Sequence, residues 1–219
     1  MTDQTQIARQ EICDAMVALV ETGLNRGASG NISARMGDQM LITPSGIPPR
    51  DITPDQVAQM ALASAGDYTG PCKPSVEWRF HRDILRARPD INAVVHTHAP
   101  WCTALAVARQ PIPAVHYMIA AFGGPTIRLA DYATYGTDAL SANVVTALQD
   151  RSACLMANHG MVVGGRTLTH ALWLANELEA LAHQHFHSLL IGGGHILSDA
   201  EIAETARGFA SYGQAAKGE

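Results

Sequence analysis

The sequence predicts an α/β protein, and two features of its patterning support this fold class. Segments with apolar residues at helical spacing alternate along the chain with short apolar runs rich in β-branched residues. Glycines and prolines separate many of these segments, as is typical of turns between secondary-structure elements. With 219 residues and 47% hydrophobic residues, the chain can bury a core of one large domain or two small ones.

The first half of the chain is predicted to contain two helices and two strands. In order, they are a helix over residues 5–23, a short strand over 40–43, a helix over 75–88 and a strand over 91–98. Ser75 is the predicted N-cap of the second helix, and Glu77 lies in its first turn. Residues 56–62 fit either a strand or a short helix that leads into one.

The second half is predicted to be richer in helix. The elements are a helix over 100–107, a strand over 126–130, a helix over 137–149, a buried strand over 153–163, a long helix over 167–190 and a short helix over 198–213. His159 falls inside the predicted strand over 153–163.

Composition excludes several classes of protein. A net charge of -5 argues against a nucleic-acid-binding surface. The sequence has no run of 18 apolar residues, so we expect no membrane span. The four cysteines are scattered without a C-x-x-C pair and are typical of reduced thiols, and the polar N-terminus does not look like a signal peptide. We therefore expect a cytoplasmic protein.

A His-x-His pair at the end of the strand over 91–98 indicates a metal site. Side chains two residues apart on a strand point to the same face, so His96 and His98 would lie side by side. His159 would be a third imidazole ligand, and Glu77 would supply a carboxylate. Three protein ligands with an exchangeable fourth position are typical of catalytic zinc. The alternatives are that the histidines only form hydrogen bonds and that Glu77 only complements the helix dipole.

Several small-residue loops have the chemistry of an anion-binding site. Gly30-Asn31, Ser45-Gly46 and Ser75 combine hydroxyl or amide side chains with glycines that let backbone N–H groups approach a ligand. The alternative is that they are simple turns. No G-x-x-x-x-G-K-[ST] or G-x-G-x-x-G motif is present, which argues against a nucleotide loop.

Seven motifs in register resemble the class II aldolase/adducin family over nearly the whole chain. They are Gly30-Asn31, residues 41–48 (LITPSGIP), 74–81 (PSVEWRFH), 94–98 (VVHTH), 112–121 (IPAVHYMIAA), 132–134 (YAT) and 158–160 (NHG). The resemblance implies a single domain over residues 1–219 with a three-layer α/β/α fold and a mostly antiparallel central sheet. It also implies a homotetramer with active sites at the subunit interfaces.

The resemblance implies a role for each matching residue. His96, His98 and His159 match the zinc ligands, and Glu77 matches a catalytic carboxylate that can also bind the metal. Tyr117 matches a tyrosine contributed by a neighbouring subunit, and Tyr212 matches a C-terminal tyrosine that closes over the substrate. The phosphate-binding positions correspond to Gly30, Asn31, Ser45, Gly46 and Ser75.

The activity implied is reversible cleavage of a ketose 1-phosphate such as L-fuculose 1-phosphate. The products would be dihydroxyacetone phosphate and an aldehyde, formed through a metal-bound enediolate with Glu77 moving the proton. Zinc is the expected metal, although His and carboxylate ligands also accept manganese and cobalt. Related epimerases carry aspartate at the position of Glu77, and adducin-like structural members lack the histidines, so an aldolase is favoured over both.

Two departures from the family pattern keep a second substrate class open. Ala28 stands where the family usually has threonine, and Val76 stands where it usually has a second serine. Each change removes a hydroxyl donor whose bond to a phosphate would contribute about 1.5–3 kcal/mol. The alternative is therefore an aldolase or decarboxylase that uses the same metal chemistry on an unphosphorylated hydroxy-keto substrate.

Overall fold

A computed structural model describes residues 3–209 and contains a seven-stranded sheet with helices packed on both faces. The elements in chain order are α1 (Asp3–Glu21), β1 (Asn31–Met36), β2 (Gln39–Ile42), β3 (Ala58–Ala61), α2 (Trp78–Ala87), β4 (Ala93–Thr97), α3 (Pro100–Val107), β5 (Arg128–Ala130), α4 (Asp138–Ala147), β6 (Ala153–Met156), β7 (Gly160–Gly165), α5 (Leu168–Leu190) and α6 (Asp199–Phe209). Short 3₁₀ turns occupy Pro49–Asp51, Pro54–Gln56 and Tyr117–Phe122.

The sheet is mostly antiparallel, as predicted. Its strand order is β3-β2-β1-β4-β7-β6-β5. Every neighbouring pair is antiparallel except β5 and β6, which run parallel. The central strands β4 and β7 are buried along their whole length, because helices cover both faces of the sheet at this point.

Alternating residues of the strands pack into two separate hydrophobic cores, one on each face of the sheet. Val95 and Val163 pack on one face with residues of α1, α3 and α5. Val94 and Val162 pack on the other face with residues of α2 and α4. Because side chains alternate along a strand, one continuous apolar run serves both layers. The three-layer α/β/α arrangement is thus confirmed.

The predicted strand over residues 153–163 is wrong in one respect, because the chain turns back within it. β6 ends at Met156 and β7 begins at Gly160, and the two strands pair with each other. Asn158 sits in the turn with a φ of 55°, a left-handed conformation that Asn tolerates better than most residues. His159 therefore lies in a hairpin turn and not on a strand.

Three further boundaries differ from the predictions. α2 begins at Trp78 with Glu77 as its N-cap residue, so Ser75 lies before the helix and is not its cap. Residues 58–61 form a strand, which settles the open assignment of residues 56–62. β4 ends at Thr97, and His98 follows it directly. All four cysteines are unpaired, and no helix among residues 3–209 is long and apolar enough to cross a membrane.

Candidate active site

The structure brings His96, His98 and His159 together at one end of the two central strands, β4 and β7. His96 is on β4, His98 follows that strand, and His159 lies in the turn before β7. In the antiparallel pairing of β4 with β7, Thr97 lies opposite Met161. This pairing places the turn before β7 next to the end of β4. One ring nitrogen from each histidine lies within 4.8 Å of the others, so the three could hold a metal ion. We call these three residues the histidine cluster.

The close approach of the hairpin turn to β4 depends on Gly160, which the sequence analysis did not single out. A Cβ atom at this position would lie 2.5 Å from the backbone oxygen of Thr97 and 3.0 Å from the ring of His98. Such distances are too short for any other residue without movement of the backbone. Gly160 therefore sets the separation between His98 and His159.

Gly160→Ala is expected to push the hairpin turn away from β4 and weaken metal binding. Overpacking of this kind costs roughly 1–3 kcal/mol of stability, and the displaced His159 would leave the cluster. Urea unfolding and zinc titration measure the two effects. Gly208→Ala is the matched control, since among the described residues a Cβ atom at Gly208 would meet no atom outside its own helix within 4 Å. Zinc affinity equal to that of the wild type in Gly160→Ala would contradict this role.

The carboxylate of Glu77 faces the histidine cluster. Its Oε2 atom is 3.3 Å from Nε2 of His96, and its Oε1 atom is 3.2 Å from Nε2 of His159. Glu77 is buried at the start of α2, and Asn31 on β1 donates a hydrogen bond of 2.9 Å from Nδ2 to Oε2. Helix α2 and strand β1 therefore hold the carboxylate next to the imidazoles.

The hydrogen bonds around Glu77 and His96 leave acceptor atoms unpaired, which fits a bound cation. Nδ1 of His96 donates to the backbone oxygen of Met161 at 2.8 Å, so Nε2 of the neutral ring carries a lone pair. This Nε2 atom and Oε1 of Glu77 are both buried without a hydrogen-bond partner. Nε2 of His96 faces Oε2 of Glu77 at 3.3 Å, and two acceptors this close repel each other unless a cation lies between them. Three imidazoles and one carboxylate suit zinc, manganese or cobalt.

Burial and hydrogen bonding favour the protonation states that metal ligands need. Burial lowers the pKa of His98 and of His159 to about 4. Burial alone would raise the pKa of Glu77, but His96, Asn31 and His159 outweigh it and hold the pKa well below its usual range. At neutral pH the two imidazoles are thus neutral and the carboxylate is ionised, which are the forms that bind a metal.

Acidification is expected to destabilise the metal-free protein below about pH 6.5, the pKa of an unfolded histidine. Burial lowers the pKa of His81 on α2 to about 3, so the folded state binds fewer protons than the unfolded state. The stability is therefore complete above the unfolded pKa and is lost as pH falls towards the folded one. His81 alone would contribute a slope of up to about 1.4 kcal/mol per pH unit.

Urea unfolding of the metal-free protein between about pH 7.5 and pH 4.5 measures this slope. His98 and His159 add to it in the same direction, since their pKa values are also lowered. The matched variant His81→Gln should show a smaller slope over the same range. A free energy of unfolding that stays constant from about pH 6.5 to pH 5 would contradict the prediction.

A cavity of about 380 Å³ opens in front of the histidine cluster. All five predicted anion-binding residues line it, together with Glu77, His98 and His159; these five, which we call the polar wall, are Gly30, Asn31, Ser45, Gly46 and Ser75. Ala28 and Val76 also line the cavity. His96 is fully buried behind the cavity wall.

Gly30 is required by the geometry of the wall. Its φ is 80°, and a Cβ atom would lie 2.8 Å from the backbone oxygen of His96 and 2.5 Å from the side chain of Asn25. Only glycine adopts this conformation and allows this approach without strain. Gly30 thus lets the loop before β1 reach the end of β4, where the histidine cluster begins.

Of the two predicted tyrosines, Tyr117 does not line this cavity in the part of the chain that the structure describes. Tyr117 is 49% exposed and lines a separate cavity of about 900 Å³ beside Trp173 and Phe209. Tyr212 lies outside the described residues. Tyr132, which belongs to the motif over residues 132–134, and Tyr135 line the cavity in front of the histidine cluster, although neither was predicted to be a site residue.

Comparisons with known proteins agree on one family. The family model "Class II Aldolase and Adducin N-terminal domain" matches residues 10–186. A 5-methylthioribulose-1-phosphate/5-deoxyribulose-1-phosphate aldolase of Rhodospirillum rubrum is 47% identical over 209 residues, which are 95% of this chain and 94% of that protein. An L-fuculose phosphate aldolase of Escherichia coli O6:H1 is 44% identical over 212 residues, which are 96% and 97% of the two chains.

A solved structure extends the likeness from sequence to fold. An L-fuculose 1-phosphate aldolase superposes with a TM-score of 0.90 at 35% identity, covering 96% of this chain and 98% of that one. A likeness of this extent in both sequence and structure establishes common descent with aldolases. The chain is therefore an aldolase-type lyase and belongs to the class II aldolase and adducin family.

Proposed function

We propose that this enzyme reversibly cleaves a ketose 1-phosphate to dihydroxyacetone phosphate and an aldehyde. The observation that carries the proposal is that one cavity is lined both by Glu77 with His98 and His159 of the histidine cluster and by the polar wall. The first suits enediolate chemistry next to a carbonyl, and the second suits an anionic end of the substrate. The similar aldolases of Rhodospirillum rubrum and Escherichia coli are both named for phosphorylated ketoses.

The histidine cluster is the proposed metal site, with zinc as the proposed ion. Nδ1 of His96 is bonded to a backbone oxygen, an outer contact that fixes the ring and leaves Nε2 for the metal. When bound, the metal would polarise the ketose carbonyl and lower the cost of negative charge on the enediolate. Manganese or cobalt would fit the same ligands.

Glu77 is the proposed proton carrier. In cleavage the C3–C4 bond breaks, its electron pair stays with C3, and the C4 hydroxyl gives its proton, directly or through a water molecule, to the ionised carboxylate of Glu77 as the aldehyde forms. Glu77 then delivers a proton to C3, and in the reverse direction it removes that proton. Oε1 is the free oxygen for this transfer, because Oε2 is already held by Asn31.

The remaining groups would bind the two ends of the substrate. Backbone and side-chain donors of the polar wall would bind the phosphate. Tyr117 of a neighbouring copy would stabilise the aldehyde oxygen, and Tyr212 would close over the substrate, in a proposed homotetramer with active sites at the subunit interfaces. The half-exposed Tyr117, which does not line the cavity of its own chain, is consistent with a role in another copy.

Ala28 and Val76 favour a second candidate function. Both line the cavity beside the polar wall, and neither offers a hydroxyl donor. A less polar wall is better suited to an uncharged end of a substrate, because phosphate loses bonds worth about 1.5–3 kcal/mol each. The second candidate is an aldolase or decarboxylase that acts on an unphosphorylated hydroxy-keto compound with the same metal and carboxylate.

A coupled cleavage assay on zinc-loaded protein distinguishes the two candidates. The substrates are L-fuculose 1-phosphate, 5-deoxyribulose 1-phosphate, 5-methylthioribulose 1-phosphate and the corresponding unphosphorylated ketoses, with Glu77→Gln as the inactive control. Dihydroxyacetone phosphate released only from the phosphorylated compounds supports the proposal. Cleavage of the unphosphorylated ketoses alone overturns the proposal in favour of the second candidate. If metal-loaded protein cleaves none of these ketoses, the proposal that it cleaves a ketose 1-phosphate is overturned as well.

A further inference from the structure

Behind Glu77 lies a buried row of polar side chains, and two of them, Ser33 and His81, have no role in the reaction described above. His81 on α2 and Ser33 on β1 are fully buried, and Asn31 and Glu77 are only 4% and 6% exposed. The Oγ atom of Ser33 is 2.8 Å from Nδ1 of His81, and Nε2 of His81 is 2.5 Å from Oδ1 of Asn31. Nδ2 of Asn31 reaches Oε2 of Glu77 at 2.9 Å.

The row follows from matched spacing on a helix and a strand. Glu77 and His81 are four residues apart, so they lie on one face of α2 about 5–6 Å from each other. Asn31 and Ser33 are two residues apart, so they lie on one face of β1 about 6–7 Å from each other. Packing of that helix face on that strand face interleaves the four side chains.

The hydrogen bonds of the row can run in only one direction. An ionised carboxylate at Glu77 accepts hydrogen bonds only, so the amide nitrogen of Asn31 must face it and the amide oxygen must face His81. An amide oxygen also accepts only, so the proton of His81 must be on Nε2. Nδ1 of the neutral imidazole is then an acceptor, and the hydroxyl of Ser33 must donate to it.

We propose that Ser33 and His81 are positioning residues that lock the amide of Asn31 so that it anchors Oε2 of Glu77 and leaves Oε1 free for proton transfer. We call the four residues the hydrogen-bond chain. His81 acts only through Asn31 and touches no reacting atom. The inference rests on the proposed function for its kinetic consequence, but its tautomer and amide orientation do not depend on the substrate.

The same lock determines what Asn31 can offer to a substrate. Asn31 lines the cavity, and its oxygen is already bonded to His81. The second hydrogen of Nδ2 remains available as a donor, whereas the amide oxygen is turned towards His81 and already uses one of its lone pairs there. This favours a substrate oxygen that carries negative charge, such as a phosphate or enediolate oxygen, over a hydroxyl that must donate.

The burial of His81 is consistent with a fixed neutral tautomer. Burial lowers the pKa of His81 to about 3, so the ring does not gain a second proton near neutral pH. A protonated ring would still donate from Nε2 to Asn31, but it would also place a donor opposite Ser33, whose hydroxyl could then only accept. The neutral ring, in contrast, satisfies both of its neighbours at once.

Nitrogen-15 NMR of the metal-free wild-type protein tests the direction of the chain without any activity. We expect His81 to be the Nε2–H tautomer. The Nδ1–H tautomer would overturn the proposal, because Nε2 could then only accept and the amide of Asn31 would have to turn its oxygen towards Glu77. This outcome is independent of whether the enzyme cleaves any ketose phosphate.

Solvent exchange of dihydroxyacetone phosphate in deuterated water tests the kinetic role. The exchange requires Glu77 to remove a proton from the carbon next to the carbonyl and to return a deuteron, and it needs no aldehyde. His81→Leu is expected to slow exchange by about 10- to 100-fold, as for the loss of other orienting partners, with little change in KM. His81→Gln keeps an N–H for Asn31 and an oxygen for Ser33, so it should recover most of the lost rate.

Ser33→Ala and Ile84→Val complete the comparison. Ser33→Ala should slow exchange less than His81→Leu, because the ring keeps its bond to Asn31. Ile84 is fully buried on α2 but lies outside the hydrogen-bond chain, so Ile84→Val controls for simple destabilisation of the helix. Exchange in His81→Leu no slower than in Ile84→Val, or no recovery in His81→Gln, would overturn the positioning role. Wild-type protein with the Nε2–H tautomer but no exchange would instead refute the proposed function.

Discussion

Glu77→Gln is expected to lower kcat for cleavage by about 10²–10⁴-fold, the usual effect of losing a positioned acid or base. Glutamine keeps the shape of the side chain and one oxygen for the bond from Asn31, but it cannot carry a proton to and from carbon. Solvent exchange of dihydroxyacetone phosphate should fall in parallel, while KM should change little. Steady-state kinetics on the substrate identified by the cleavage assay, together with the exchange rate, measure these effects.

Glu179→Gln is the matched control for this substitution. Its carboxylate accepts bonds from the backbone nitrogens of Trp101 and Cys102 at the start of α3, away from the cavity. Loss of its charge should reduce stability and leave kcat close to the wild-type value. A kcat of Glu77→Gln as high as that of Glu179→Gln would refute the role of Glu77 as proton carrier.

The parts of the site that local sequence spacing encodes could be predicted. A His-x-His pair at the end of an apolar run requires only the two-residue period of a strand, and the structure places both imidazoles beside His159. The fold class followed from the alternation of helical and apolar segments, together with the family resemblance. Both signals lie within short stretches of the chain.

The parts that depend on contacts between distant segments could not be predicted. The apolar run over residues 153–163 fits one buried strand as well as two, and the positive φ of Asn158 appears only in the folded chain. Gly160 is constrained by the backbone of Thr97, and His81 gains its meaning from Asn31 and Ser33 on another element. An isolated His on an apolar helix face does not by itself indicate which side chains it bonds to.

His159→Ala is expected to weaken zinc binding by more than about 100-fold, beyond the effect of losing an outer-shell partner. The variant keeps only two imidazoles and Glu77, and the hairpin turn no longer supplies a metal ligand. Because a ligand stabilises the native state by its binding free energy, zinc at about 1,000 times its Kd should raise the stability of the wild type by about 4 kcal/mol. At the same zinc concentration, a variant with a 100-fold higher Kd would be stabilised by only about 1.4 kcal/mol, and by less if its Kd is higher still.

Thermal or urea unfolding with and without zinc, alongside direct titration, measures this difference. His170→Ala is the control, because His170 stacks on Trp173 and lies outside the histidine cluster. It should retain the full stabilisation by zinc. If His159→Ala bound zinc as tightly as His170→Ala, the lone pair on His96 and the orphaned oxygen of Glu77 would need another partner. If only His159→Ala loses tight zinc binding, then zinc binding, and the stability that zinc adds, both depend on the hairpin turn that Gly160 allows to approach β4.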